Sequence, residues 1–403
     1  MRWLRKGDSG LSLPLFALAH AALLLGVFRT IYTIDRTGID LYYGYAGRIA
    51  AGQLPYRDFV AEYPPLALLF FTVPRWFGHS YAVYYSAFQL ELLAFDLVAV
   101  VALSAAARAF NVPRWRLLAA YTVAIVAVGP ITMQQYDMIP ATLTLLALVA
   151  YQRESDAFAG VLLGLGTMAK VYPVLLAPLL AIDAWQRGSA RRIVVAASAF
   201  VAACVVVALP WLARAPMSLG VLASYHGGRG IQIESTWAAI SLVAREMRLT
   251  WVEVNHTFGS FNITGPLTDA FARISTLVLL AALAIAYFWF FRRVRSARTP
   301  VDLRLLGRAS LVVLLVSLAT SKVFSPQYLL WIAPFIALAD SAVVVVVFAL
   351  IGALTVFVYP YHYEALLARD MVPIVVLALR DAFVIALAFV VARLRPGAAT
   401  APA

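Results

Sequence analysis

Residues 193–212 read Ile-Val-Val-Ala-Ala-Ser-Ala-Phe-Val-Ala-Ala-Cys-Val-Val-Val-Ala-Leu-Pro-Trp-Leu, with Arg191 and Arg192 before them and Arg214 after. An uncharged run of this length forms a helix long enough to cross about 30 Å of hydrocarbon at about 1.5 Å per residue. Backbone groups in hydrocarbon have no water to bond, so a lipid-exposed span must be a helix or part of a closed barrel. A barrel strand alternates its hydrophobicity over about ten residues, and this run does not alternate. The segment therefore reads as a transmembrane helix. Cys204, the one cysteine of the chain, sits inside it as a packing residue and permits no intrachain disulfide.

The same reading extends outward. The chain has 403 residues, 63% hydrophobic and 13% charged, against about 25% charged in a soluble domain. Its mean hydropathy is +0.85. Apolar blocks predict spans near residues 11–31, 81–107, 117–131, 138–151, 157–170, 172–186, 193–212, 270–291, 303–322, 327–340, 341–360 and 371–393, about twelve in all. The first block, Leu11–Thr30, follows Arg2, Arg5 and Lys6 and lacks a small-residue cleavage site, so it reads as a retained span. Residues 1–395 form one all-α, polytopic membrane domain, and residues 396–403 read as a disordered tail.

The net charge of +12 is not a nucleic-acid footprint, because no compact basic domain carries it. The cations fall in short loops, at Arg108–Arg116, Arg187–Arg192 and Arg292–Arg308, which would all lie on the cytoplasmic side by the positive-inside rule. Two long segments, residues 32–80 and 213–269, then lie on the opposite side, and loops of this kind carry function more often than spans do.

In the first long segment a helix is expected from about Ile39 to Ala51. At helical spacing Asp40, Gly44, Gly47 and Ala51 share one face, a carboxylate beside open space. Asp35 precedes the helix. Tyr63-Pro64-Pro65 stops helix formation, since a proline biases the residue before it towards an extended conformation. The following Leu66–Phe77 is too short to span and reads as an interfacial or re-entrant helix.

Asp137, after Gln134-Gln135-Tyr136, and Lys170, before Val-Tyr-Pro173, each interrupt a pair of short spans. A charge at the bilayer centre costs about 2.5–3.5 kcal/mol on insertion scales, so the two either pair with each other or serve a ligand. The intramembrane Glu91, Asp96, Arg380 and Asp381 also need partners. Adjacent helical residues point about 100° apart, so Arg380 is expected to pair with Asp96 or Glu91 across helices. Gly160 and Gly164 mark a close helix contact. The glycines of Tyr225-His-Gly-Gly-Arg-Gly follow no strand and precede no Gly-Lys-Ser/Thr, so they are not a phosphate loop of the P-loop type. They leave a turn presenting His226 and Arg229.

The block Gly52-Gln-Leu-Pro-Tyr-Arg-Asp-Phe-Val-Ala-Glu-Tyr-Pro-Pro resembles the first periplasmic loop of bacterial polyprenol-phosphate-mannose-dependent glycosyltransferases. These belong to glycosyltransferase superfamily C and are similar to the GPI mannosyltransferases. The Gln-Tyr-Asp137 turn, the Lys170-Val-Tyr-Pro turn, Arg229-Gly-Ile-Gln-Ile-Glu-Ser and Ser321-Lys-Val-Phe-Ser-Pro-Gln-Tyr resemble the same family, in order along the chain. The resemblance implies an integral cell-membrane enzyme that moves a sugar, mannose in the first instance, from a polyprenyl phosphate to a lipid or glycan hydroxyl on the extracytoplasmic face, with inversion. It implies Asp40 as the catalytic base, with Asp35 second. Lys170, Arg57, Arg229 and Lys322 would hold the donor phosphate. Tyr43, Tyr56, Asp58, Glu62, Tyr63, Asp137, His226, Glu234, Gln327 and Tyr328 would contact substrate. No cofactor or nucleic acid is implied, though a divalent metal is compatible with the chemistry. Two other classes fit a polytopic chain with buried charges, a lipid or sugar flippase or transporter and a polysaccharide polymerase. The absence of an inverted repeat argues against the first.

Overall fold

A computed structural model describes residues 12–28, 37–216, 220, 228–296 and 301–394. The expected tail and two of the named site residues, Asp35 and His226, lie outside these. The described chain is a helical bundle with seven helices long and apolar enough to cross a membrane: Tyr81–Ala109, Arg114–Met133, Ala190–Arg214, Pro266–Ser296, Leu303–Thr320, Ala342–Tyr361 and Met371–Arg393. Shorter apolar helices run over Leu13–Gly26, Pro65–Phe77, Met138–Gln152, Asp156–Ala169 and Pro326–Leu338. The helix Pro65–Thr72 starts on the two prolines, which fit a first turn whose N–H groups have no partner.

Burial orders the bundle. Every residue of Leu329–Leu338 is buried, and Leu303–Thr320 is buried along most of its length; these helices form the centre with Met138–Gln152. Ala190–Arg214 lies at the rim, with Ala203 alone among its residues fully buried. It is held through Asp156–Ala169. A Cβ on Gly160 would come within 2.2 Å of Ala196 O, and one on Gly164 within 2.7 Å of Phe200 O. The two glycines thus allow the close approach read from their spacing, with backbones nearly in contact.

One end of the bundle is basic. Arg116 and Arg304 both reach Asp340, at 2.8 and 3.1 Å. Arg308, though buried, donates from Nε and Nη2 to Ala339 O at 3.0 and 2.8 Å, capping the last turn of Leu329–Leu338 as a cation does at a helix C-terminus. Arg187 donates to Val301 O. The arginine-rich loops therefore share one end, as their clustering required.

Two further features depart from or refine the reading. The second long segment contains a small antiparallel sheet, Ile231–Gln232, Glu253–Thr257 and Ser260–Thr264, with the last strand central. Helix Thr236–Glu246 packs beneath it, capped by Ser235 Oγ. Arg380 does not meet Asp96 or Glu91, which corrects the expectation. Asp96 is taken by His20 Nε2 at 2.8 Å and by the Tyr121 hydroxyl at 2.8 Å. Arg380 Nε instead lies 2.8 Å from Asp381 Oδ1, without hydrogen-bond alignment, and its Nη2 donates to the backbone oxygen of Glu234. The long guanidinium stem reaches sideways past the divergence of adjacent Cβ vectors.

Candidate active site

At the end opposite the arginine cluster the helices enclose a cavity of about 990 Å³. Its floor is the pair of interrupted spans. Asp137 stands just before helix Met138–Gln152, where the N-terminal dipole favours a carboxylate. Lys170 follows the last turn of Asp156–Ala169 in an extended conformation. Their side chains meet, with Lys170 Nζ 2.8 Å from Asp137 Oδ1. Trp331 Nε1 donates to the same oxygen at 2.6 Å. Asp137 is fully buried, and its Oδ2 has no hydrogen-bond partner among the described residues.

Aromatic rings enclose the pair. Lys170 Nζ lies 4.8 Å from the Tyr136 ring centre, 5.3 Å from Tyr328, 5.5 Å from Trp331 and 5.7 Å from Tyr63. Each is within cation–π range. Trp331 is stacked between Tyr172 and Tyr328, at 4.2 and 3.8 Å.

The first wall comes from the first long segment. Gly38, Leu41, Glu62, Tyr63 and Pro64 line it. Gly38 is close against Gln135, where a Cβ would fall 2.4 Å from Gln135 Nε2, and the Tyr42 hydroxyl donates to Gln135 Oε1 at 2.7 Å. The helix Thr37–Ala50 therefore turns its Gly38–Leu41 face to the cavity. Asp40 projects elsewhere. It is exposed, accepts a hydrogen bond from the Tyr81 hydroxyl and does not line the cavity. Open space lies beside Gly44, as the small-residue face implied.

The opposite wall joins the second long segment to the late turn. Arg229 Nη2 donates to Ser260 Oγ at 3.1 Å. Gln232 is hydrogen-bonded here through its N–H and through both polar atoms of its side chain. Its N–H donates to Lys322 O at 3.0 Å, its Oε1 accepts Phe324 N–H at 2.8 Å, and its Nε2 donates to Glu234 Oε2 at 3.1 Å and Ser325 Oγ at 3.3 Å. This places Lys322 on the cavity lining, and Lys322 forms no ion pair among the described residues. Burial pushes the Glu234 carboxyl up to about 8; Arg380 works against that rise and Asp381 adds to it.

The cavity thus gathers Lys170, Arg229, Lys322, Glu62, Tyr63, Glu234, Gln327 and Tyr328, with Asp137 beneath. Besides Asp40, four of the named residues lie off it. Arg57 and Asp58 are turned to solvent and pair with each other at 2.8 Å. The Arg57 hydrogen bond, then the Leu54 N–H, holds Asp58 down to about 2. Tyr43 donates to His79 O. Tyr56 is buried and supports the wall by donating to Tyr63 O at 2.5 Å. Sequence reasoning missed His256, Ser260 and Phe261 on the hairpin and Tyr359, Tyr363 and Glu364 near the end of the chain, all on the lining. No motif marks them, because the sheet and the bend at 357–364 bring them in from a distance.

The sequence matches the model of glycosyltransferase family 87 over residues 59–321, well over half the chain. The chain belongs to glycosyltransferase family 87. The matched span covers most of the cavity lining, from Glu62 to Ser321. No curated protein matches the sequence. Among solved structures this family 87 protein is similar to ArnT from Cupriavidus metallidurans in the apo state, with a TM-score of 0.50 and 14% identity over 94% of this chain and 76% of that one. It is also similar to ArnT bound to undecaprenyl phosphate, TM-score 0.47, 15% identity, over 94% and 76%. A third is the Archaeoglobus fulgidus oligosaccharyltransferase tethered to an acceptor peptide, TM-score 0.44, 14% identity, over 94% and 54%. The likeness to apo ArnT is one of fold alone.

Proposed function

We propose that this family 87 glycosyltransferase takes a sugar, mannose in the first instance, from a polyprenyl-phosphate donor. It transfers the sugar to a hydroxyl of a lipid or glycan at the extracytoplasmic face of the cell membrane. The observation that carries the reading is a cavity holding Lys322 and Arg229 opposite the carboxylate-bearing wall of the first long segment. Val171, Leu175 and Leu279 give the cavity an apolar flank along which a lipid tail would lie. ArnT, caught with undecaprenyl phosphate, has a ligand of this class.

The acceptor hydroxyl oxygen attacks the anomeric carbon as the bond from that carbon to the phosphate oxygen breaks. A carboxylate takes the hydroxyl proton, and the cations stabilise the charge gathering on the departing phosphate. One displacement inverts the anomeric centre. Asp40 is assigned as the base on the family resemblance, standing on the cavity-facing helix beside the Tyr81 hydroxyl. A second reading gives the role to Glu62, because Glu62 is on the cavity wall. Asp40→Asn and Glu62→Gln, each assayed for turnover with folding checked, separate them: the true base loses nearly all turnover and the other variant retains it. If both retain turnover, the first long segment does not supply the base.

A further inference from the structure

Arg380 stands near the middle of the span Met371–Arg393 and is fully buried, a costly place for a charge. Its neighbour Asp381 does not fix it there. Arg380 Nε lies 2.8 Å from Asp381 Oδ1, but neither Nε nor either Asp381 oxygen has a hydrogen-bond partner among the described residues. The guanidinium is fixed by the wall of the cavity. Its Nη2 donates to Glu234 O, on the second long segment. Its central carbon lies 4.0 Å from the centre of the Phe324 ring, in the late turn, a cation–π contact in a buried setting. One side chain thus grips both segments that meet at Lys322. The turn depends on such contacts, because residues 321–325 form no regular helix or strand. Gln232 holds it through Lys322 O and the Phe324 N–H and also binds the Glu234 carboxyl. Arg380 takes the Phe324 ring and the Glu234 carbonyl, so the two side chains close one ring of contacts around the turn.

We propose that Arg380 is a positioning residue: from within its span it clamps the second long segment to the late turn and so sets where Lys322 meets the donor phosphate. The inference rests on the glycosyltransfer reading. Arg380 does not line the cavity, whereas Lys322 and Ser325, on either side of Phe324 in the chain, do. It therefore acts through Lys322 and touches no substrate itself. A guanidinium suits this task better than an ammonium, because its fork of donors and its flat face serve a carbonyl and a ring at once. If Arg380 served only to neutralise Asp381, a lysine would do as well, and loss of Asp381 would matter as much.

The test uses the full chain in nanodiscs, with amide hydrogen exchange and titration with undecaprenyl phosphate. Arg380→Lys keeps the charge beside Asp381. It should speed exchange of the amides of residues 232 and 324, which bond across the clamp. The Lys170 amide, bonded to Gly166 O in the cavity floor at 2.8 Å, should stay as protected as in the parent. Binding of undecaprenyl phosphate should weaken about tenfold, as for Lys322→Met. Phe324→Leu, an apolar swap, should move both readouts the same way, and Asp381→Asn should move neither. Added to Lys322→Met, Arg380→Lys should weaken binding by less than about twofold more, because both changes remove one interaction. Parent-like exchange and binding in Arg380→Lys would overturn the proposal, as would single effects that multiply to about a hundredfold in the double variant. An Asp381→Asn variant that behaves like Arg380→Lys would reduce Arg380 to an ion-pair partner, and faster exchange along the whole chain would show general loss of structure; either overturns the proposal. Exchange needs no ligand, so a parent that binds no undecaprenyl phosphate would count against the glycosyltransfer reading while the clamp is still judged by exchange.

Discussion

Lys170 Nζ and Trp331 Nε1 converge on one oxygen of Asp137, at 2.8 and 2.6 Å. The arrangement decides what Lys170 can do. A half-buried cation already neutralised by a buried carboxylate is poorly placed to act alone on a phosphate, and the ring enclosure holds it further. Lys170→Met should leave Asp137 buried and uncompensated, and removing one member of such a pair costs about 3–5 kcal/mol. The double variant Lys170→Met/Asp137→Asn removes both charges and should recover most of that loss. Chemical unfolding in detergent measures both, and a single variant as stable as the parent would contradict the pairing.

Lys322 is the cation without an ion-pair partner among the described residues of the cavity. Lys322→Met should raise the donor KM about tenfold, a loss of roughly 1.4 kcal/mol of binding, while the acceptor KM stays unchanged. Gln232→Ala should move the same constant in the same direction, because Gln232 anchors the turn that carries Lys322. Equal changes in the two constants would show a general loss of structure instead.

Glu234 gives the protein a pH dependence of known sign. Its carboxyl is raised from 4.5 to about 8 in the folded chain, chiefly by burial. Between those values the folded state keeps a proton that the unfolded state has released. Stability from this group is fully present below about 4.5 and is lost as pH rises through about 8. Thermal stability should therefore fall with rising pH in this window, and Glu234→Gln, whose amide does not titrate, should flatten that slope. Parallel profiles for the two proteins would remove Glu234 as the cause.

The basic end and the cavity end should lie on opposite sides of the membrane, with the arginines inside. Cysteines placed at Gln53 and at Arg295, both exposed, report this with an impermeant thiol reagent on intact cells after Cys204 is replaced. Position 53 should be labelled and position 295 protected; labelling at 295 would invert the topology.

Much of the bundle was legible because a continuous apolar run has few other outcomes, as residues 193–212 show. Asp137 and Lys170 stood out for a related reason: charge within apolar sequence is costly, and the structure brings the two together. Orientation was harder to read. The spacing of Asp40, Gly44 and Gly47 marked the open face of their helix, but the cavity lies against Gly38 and Leu41, because Gln135 packs on Gly38. Arg380 was misassigned because spacing rules describe Cβ directions and not the reach of a long stem. The hairpin Glu253–Thr264 carried no signal: its strands have five residues each, and the first strand is largely exposed and polar. Hydrophobic alternation could not reveal it, and His256 and Ser260 entered the site with it.

Sugar transfer itself is most directly tested in proteoliposomes holding the purified chain, a polyprenyl-phosphate sugar labelled in both sugar and lipid, and the acceptor. The account predicts labelled sugar on the acceptor with one polyprenyl phosphate released for each transfer, both lost in the variant lacking the base. Movement of the intact donor across the bilayer, with no polyprenyl phosphate released and no glycosylated acceptor, would contradict it and identify a flippase.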